Sequence, residues 1–504
     1  MLKKIINWRD KNISNKIIYW FIFIFVVPFI LLCFINCASA IIIMFLKYHT
    51  LDFKNFHIAY VDKYSWIISL VLFVIGFLFF LWFYVCHKID NMDSPKIKQQ
   101  KSSKASDKEF KTLQLKMLAL NNKYGIPKTN LSQHTILVGT TGSGKTTTLM
   151  FLVKQLTQLF KQTTIIIDGK GDIDLINKVK QQDPNAFIWE IGGTTEYNPF
   201  ATKDSVVLSD KIMSLFTFSE PHYEALVNDY VLILTETLIN KNVELTLENI
   251  IKYFDIKELK QLISKKDNNY EYLEKLNEDD ILGMRSRLNV YRQQLKTNIG
   301  INNKLLELIT KHKTILFSIN SLMYPKLAGS VGKIIIQDLK ELTTLKPVNQ
   351  KINIVLDEFN VFASETIINL INKSRSFNYQ CFLSFQTIND LKTNNMNLTD
   401  TIFGNVNSIV CHNIKDPNTT EYVASVFGTQ ETEKLTRQLD FKNNTADMGS
   451  VRSVDEFVVH PNDLKTLKIG ECYFKTTLPS GKLFIKKIKI NPTYLDGVFQ
   501  KLNK

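Results

Sequence analysis

Arginine is the scarcest charged residue of this 504-residue chain: Arg9, Arg285, Arg287, Arg292, Arg375, Arg437 and Arg452 are all of it. In so lysine-rich a sequence, an arginine is expected where its planar, forked guanidinium is needed. The six cysteines include no C-x-x-C pair, which argues against a zinc knuckle or a dithiol redox centre. Cys33, Cys37 and Cys86 fall in apolar runs, and Cys381, Cys411 and Cys472 are scattered singly, so no disulfide framework is expected. The eight histidines are equally dispersed, with no H-E-x-x-H, and no structural metal is expected. The body reads as cytosolic and reduced.

Positive charge is abundant. A net charge of +14 and a pI near 9.2 favour anionic partners such as nucleic acid, nucleotide or acidic lipid; a lysine-rich coding bias accounts for the same numbers. Residues Ile17 to Leu46 and Ser65 to Cys86 carry no charged side chain. Each exceeds the roughly 20 residues a helix needs to cross a bilayer. Lysines before the first run and after the second outnumber those between them, which predicts a membrane hairpin with both ends in the cytoplasm. The expected layout is a cytoplasmic N-terminus (1–16), a transmembrane hairpin (17–86) with an external loop (47–64) and a juxtamembrane linker (87–112). The corresponding location is a membrane, multi-pass, with the body in the cytoplasm.

The chemistry is concentrated further on. Thr135-Ile-Leu-Val138 reads as a buried strand, followed at once by Gly139-Thr140-Thr141-Gly142-Ser143-Gly144-Lys145-Thr146. This fills G-x-x-x-x-G-K-[ST] at every position. Glycines let the backbone wrap phosphates with its N–H groups inward. Lys145 supplies a charge to the β/γ-phosphates of ATP, and Thr146 a hydroxyl to Mg²⁺. Thr147 opens a helix, expected to Leu159, whose N-terminal dipole faces the nucleotide. Gly332-Lys333 is no second such loop, since Leu327 and Ile334 stand at required positions; it is expected on a core-facing helix.

A strand at Lys351 to Leu356 ends in Asp357-Glu358. Opposite a phosphate loop, Asp357 is expected to hold Mg²⁺ and Glu358 to polarise the attacking water. The competing reading is a strand ending in solvated acids. Gln386, ending the strand Tyr379 to Phe385, fits the place where RecA-like ATPases carry a γ-phosphate sensor. Further strands are expected at Thr163–Asp168, Ala186–Ile191, Lys313–Ile319, Val406–Asn413, Cys472–Thr476 and Leu483–Ile490, the last two forming a hairpin across Pro479–Lys482. Their alternation with helical segments predicts a largely parallel α/β sheet. The fold expected is a RecA-like P-loop nucleotide-binding domain (113–201 and 301–504) with an inserted all-α domain (202–300).

In this order the motifs resemble the type IV secretion system coupling proteins, the TraG/TraD-like family of conjugative DNA-transfer ATPases. The resemblance rests on the hairpin, the strand and loop from Gln133 to Lys145, and the helical insertion. It continues through Ile165 to Asp172, Tyr197-Asn-Pro-Phe200, Leu356-Asp-Glu-Phe359, Ser374-Arg-Ser-Phe377 and Phe385-Gln386, with Arg452 before Asp455-Glu-Phe457. A long acidic C-terminal tail is missing, and the loop between the apolar runs is short. The resemblance implies a homo-hexamer at the bacterial inner membrane that recruits relaxase-bound single-stranded DNA and feeds it to secretion-channel components. It also implies that Arg375 acts as an arginine finger on a neighbour's ATP, against the plainer reading of a surface helix residue. Arg285, Arg287, Arg292 and Lys296 become candidates for phosphate contact, with a solvated helix face as the alternative. A related membrane DNA translocase and a docking receptor that pumps nothing remain open; an ABC ATPase does not, because no Leu-Ser-Gly-Gly-Gln lies between the phosphate loop and Asp357.

Overall fold

The computed structural model describes residues 102–502 except 114–115, 219, 296–297, 348, 394–395 and 438–448. The expected inner-membrane location is corrected at this point. Among the described residues no helix is long and apolar enough to cross a membrane. The apolar runs 17–46 and 65–86, on which the hairpin was expected, lie outside the described residues, as does Lys296.

Nine strands form one sheet: β1 (Thr135–Val138), β2 (Thr163–Asp168), β3 (Phe187–Glu190), β4 (Thr314–Ser318), β5 (Ile352–Asp357), β6 (Tyr379–Phe385), β7 (Ser408–Cys411), β8 (Glu471–Thr477) and β9 (Leu483–Lys489). Their order across the sheet is β9-β8-β7-β1-β6-β5-β2-β4-β3. The seven strands from β7 to β3 run parallel, and β8 and β9 add an antiparallel hairpin at one edge. Parallel strands buried on both faces need continuous apolar runs, and β1, β2, β4 and β6 are buried throughout. Side chains alternate between two apolar cores: Ile136, Ile165 and Leu356 enter one, and Leu137, Ile166 and Val355 the other.

Helix α1 (Lys145–Lys154) leaves β1 and runs into a π-helical turn at Gln155–Leu159. Buried Gln155 spends its amide on a neighbouring strand, donating to Ala119 O at 2.9 Å and accepting from Ala119 N at 2.7 Å. Helix α2 (Ile173–Gln182) starts at Asp172, whose carboxylate accepts from Asp174 N, a standard N-cap.

Between β3 and β4 the regular elements are helices. The main ones are α3 (Ser205–Ser214), capped by Asp204, α4 (Pro221–Asn240), with proline in its first turn, and α5 (Glu278–Leu295). Helix α6 (Pro325–Leu345) packs against α3. A fully buried ammonium fastens them: Lys211 Nζ donates to Pro199 O and to Asp338 Oδ1, both at 2.7 Å, and to Glu341. Tyr197 OH donates to the other oxygen of Asp338. The Tyr197–Phe200 motif is therefore part of a charged joint between α3 and α6. Gly332 is buried on α6, where an added Cβ would stand 2.7 Å from the Phe362 ring; Gly332-Lys333 thus serves helix packing.

Candidate nucleotide site

The site forms at the carboxyl ends of the parallel strands, where polar residues follow apolar runs. Gly142 (φ 77°) and Gly144 (φ 105°) adopt the left-handed conformation that curls the loop after β1. Ser143 N donates to Thr140 O at 3.2 Å, and the first helical bond is Thr148 N to Gly144 O at 3.0 Å. The N–H groups of Lys145, Thr146 and Thr147 precede that bond, so they face out of the positive end of α1. Thr146 is half-buried and Thr147 exposed.

Lys145 is only 8% exposed, and its Nζ donates to Phe385 O at 3.0 Å. Burial pulls its pKa below the ordinary lysine value, opposed by Asp357, Glu358 and Asp390. An ammonium held among three carboxylates and tethered to a single carbonyl has donors left for an anion.

Strand β6 lies between β1 and β5, pairing Val138 with Phe385 and Leu356 with Leu383. Gln386 therefore stands between the loop and the acids. Its Nε2 donates to Glu358 Oε1 at 2.7 Å, and its Oε1 accepts from Thr141 Oγ1 at 3.1 Å. Asp390 fixes the backbone here, its Oδ2 accepting from Gln386 N at 2.8 Å and Thr387 N at 2.9 Å.

Glu358 has φ 59° and ψ 62°. A left-handed conformation costs a non-glycine residue about 1–2 kcal/mol and is retained mainly where the surroundings impose it. Burial pushes the Glu358 carboxyl up, and the Lys145 ammonium pulls it back. Both effects suit a base that must exist as a carboxylate yet accept a proton.

Asp357 pairs in register with Asp168 on β2. Asp168 is buried and accepts from Lys170 N at 3.0 Å and Asp172 N at 2.8 Å. Burial pushes its pKa up to about 6, against the two backbone bonds. Half-buried Asp357 thus stands above an acid engaged with its own loop. The donor set fits Mg²⁺: a carboxylate at a strand end and a hydroxyl in the first turn of α1 are hard oxygen ligands.

The structure gathers the loop 139–147 with Lys145, Gln386, Asp357 and Glu358. It does not bring Arg375 among them. That side chain is exposed in the turn before β6, at the end of the strand remote from Gln386. Seven residues at about 3.3 Å each separate the two ends by roughly 20 Å. Arg285 pairs with Asp255 at 2.6 Å, so its charge is already engaged.

Sequence reasoning missed the residues beneath the loop. Thr140 N donates to Asn413 O at 2.8 Å, and Gly470 N to Ser143 O at 3.2 Å. His412, fully buried, lies against Gly139 and Gly144 of the same loop. The only sequence signal for His412 and Asn413 is polarity at the end of β7, which becomes informative once β7 is known to flank β1. Asp390 was more accessible, since Thr387-Ile-Asn-Asp390 has the spacing of a capping box.

Comparison with known proteins agrees with this architecture. Residues 351–468 match the family model described as the TraM recognition site of TraD and TraG, and residues 123–348 match that of the central domain of the helicase HerA. No curated protein matches the chain. Among solved structures, an unbound form of the bacterial conjugative coupling protein TrwBΔN70 superposes with a TM-score of 0.56 at 14% identity, covering 75% of this chain and 88% of that one. TrwB with the non-hydrolysable ATP analogue ADPNP gives 0.54 at 15% identity, covering 75% and 89%. TrwB with ADP and Mg²⁺ gives 0.52 at 15% identity, covering 73% and 87%. The fold is that of a P-loop NTPase with a large, mostly parallel sheet.

Proposed function

We propose that this chain, a type IV secretion coupling protein of the TraG/TraD-like family, hydrolyses ATP to drive relaxase-bound single-stranded DNA into a secretion channel. The observation that carries the catalytic half is the hydrogen-bonded chain Thr141–Gln386–Glu358. It joins the phosphate loop, the polar strand end and the candidate base through one amide. An isolated phosphate-binding loop would have no use for that linkage.

In this reading Lys145 and the N–H groups opening α1 bind the phosphates. Thr146 and Asp357 would hold the Mg²⁺ that accompanies ATP, and the ion would supply further charge neutralisation on the phosphates. Glu358, aimed by Gln386, orients the attacking water and takes its proton. The DNA half is supported by the match of residues 351–468 to the TraM recognition site model, a region that includes Asp357, Glu358 and Gln386. Partner recognition and chemistry would then share one stretch of chain. A homo-hexamer is the assembly in which this arrangement would act on a threaded strand.

The test is ATP turnover by the purified full-length chain with and without single-stranded DNA. Turnover that rises with DNA, and falls back as salt screens the phosphates, supports a motor. Turnover indifferent to DNA at every salt concentration would remove the pumping role.

A further inference from the structure

The residues beneath the phosphate loop form a connected support. His412 follows β7, the strand beside β1, and its N donates to Val138 O at 2.8 Å. Its side chain is fully buried, with Nδ1 3.1 Å from Glu471 O and Nε2 3.0 Å from Thr148 Oγ1. A carbonyl oxygen only accepts, so the first contact requires the proton on Nδ1. Burial pulls the ring's pKa down to about 4, so the neutral ring leaves Nε2 bare to accept from the Thr148 hydroxyl, whose one proton is shared between Nε2 and Gly144 O at 3.1 Å. The imidazole is thus a strut from the start of β8 to the first turn of α1.

The loop is shaped around it. A Cβ on Gly139 would lie 2.7 Å from His412 Cβ, and one on Gly144 would lie 3.9 Å from its Cε1. The same floor holds the loop backbone at Thr140 through Asn413 O and at Ser143 through Gly470 N. Asn413 Nδ2 in turn donates to Lys465 O at 2.8 Å and Leu467 O at 2.9 Å.

We infer that His412 is a positioning residue for nucleotide binding: accepting from Thr148 and donating to Glu471, it fixes the α1 end of the phosphate loop against β8. This rests on the ATP-binding reading above. Its N–H donors are useful only if pre-aligned, because a loop that must be ordered on binding loses that ordering free energy from its affinity.

The experiment measures affinity of the full-length protein for a fluorescent ATP analogue, together with turnover. His412→Leu, which keeps bulk and removes both polar contacts, is expected to weaken binding about tenfold. Thr148→Val should weaken it similarly, and the double variant should be no weaker than either single one, since both break one strut. His412→Gln, which restores an acceptor for Thr148, should return affinity to within about threefold of the original chain. A packing role alone would lower the melting temperature but leave affinity uncoupled between positions 148 and 412. If His412→Leu does not fold, Thr148→Val against Thr148→Ser carries the test, with only the valine expected to weaken binding. Unaltered affinity in the folded variants, or multiplying defects in the double variant, overturns the inference alone. Absence of nucleotide binding by the unmutated chain overturns the ATP-binding reading itself.

Discussion

The Gln386 side-chain amide donates from Nε2 to Glu358 Oε1 at 2.7 Å, while its own oxygen accepts from Thr141 Oγ1 at 3.1 Å. An amide occupied at both ends has one orientation, so it reports the position of the phosphate loop to the candidate base. Gln386→Ala should lower kcat by about 10- to 100-fold while changing ATP affinity little, because it frees Glu358 without touching Lys145. Steady-state kinetics decide the matter: a rise in KM with kcat intact would place Gln386 in substrate binding.

Lys145→Ala and Glu358→Gln should separate binding from chemistry. The first removes a fixed charge from the phosphate cradle, so ATP affinity falls. The second keeps the cradle and leaves a side chain that cannot take a proton, so ATP binds and persists. Equilibrium binding and single-turnover hydrolysis check the pair. Turnover at the original rate in Glu358→Gln would remove the assigned base.

Much of this site was legible because its residues sit where one-dimensional patterns change. The strand Thr163–Asp168 and the strand Tyr379–Phe385 were expected with the limits the structure gives them, since both are apolar runs closed by polar residues. The phosphate loop follows from eight contiguous residues. His412, Asn413 and Gly470 were not legible, because their role depends on β7 neighbouring β1 across more than 250 residues of sequence. Lys211 was equally hidden. A lysine on an amphipathic helix reads as solvated, and only the packing of α3 on α6 reveals the carboxylates that bury it.

That lysine makes a stability prediction. Lys211 is wholly buried against Asp338 and Glu341, and the carboxylates hold its pKa above the ordinary lysine value despite burial. Removing one partner of a buried pair leaves an uncompensated charge, typically at about 3–5 kcal/mol. Lys211→Met should therefore lower the denaturation midpoint strongly, and adding Asp338→Asn should recover part of the loss. Chemical denaturation of the three proteins tests this. A Lys211→Met chain as stable as the original would show that the joint contributes specificity without stability.

Asp168 gives a pH dependence with a defined sign. Its folded pKa is raised to about 6, so the folded chain holds a proton there that the unfolded chain releases nearer the ordinary carboxylate value. The stability it contributes is fully present at acid pH and is lost as pH rises through about 6. Asp168→Asn cannot ionise and lacks this component. The melting temperature of Asp168→Asn relative to the original chain should rise between pH 4 and pH 7 by the amount the carboxylate loses. A difference that stays flat across that range would place the titration elsewhere.

Arg375 makes the last prediction, and its position supplies the reason. The turn that carries it leads into β6 at Tyr379, whereas the candidate catalytic groups gather beyond Phe385, roughly 20 Å along the strand. A side chain so placed is out of reach of its own Lys145 and is exposed to solvent. If it stabilises phosphoryl transfer at all, it does so at another subunit's nucleotide. Arginine fingers contribute about 10³- to 10⁵-fold in rate, so Arg375→Ala should leave ATP binding intact and abolish most turnover. Mixing makes the test specific. Arg375→Ala subunits keep intact phosphate loops, and Lys145→Ala subunits keep the arginine, so a mixed assembly contains interfaces with both parts. Activity regained on mixing requires action across an interface. Mixtures that co-assemble, as shown by affinity capture of one tagged variant with the other, yet stay as inactive as each variant alone would return Arg375 to the plainer role of a surface residue.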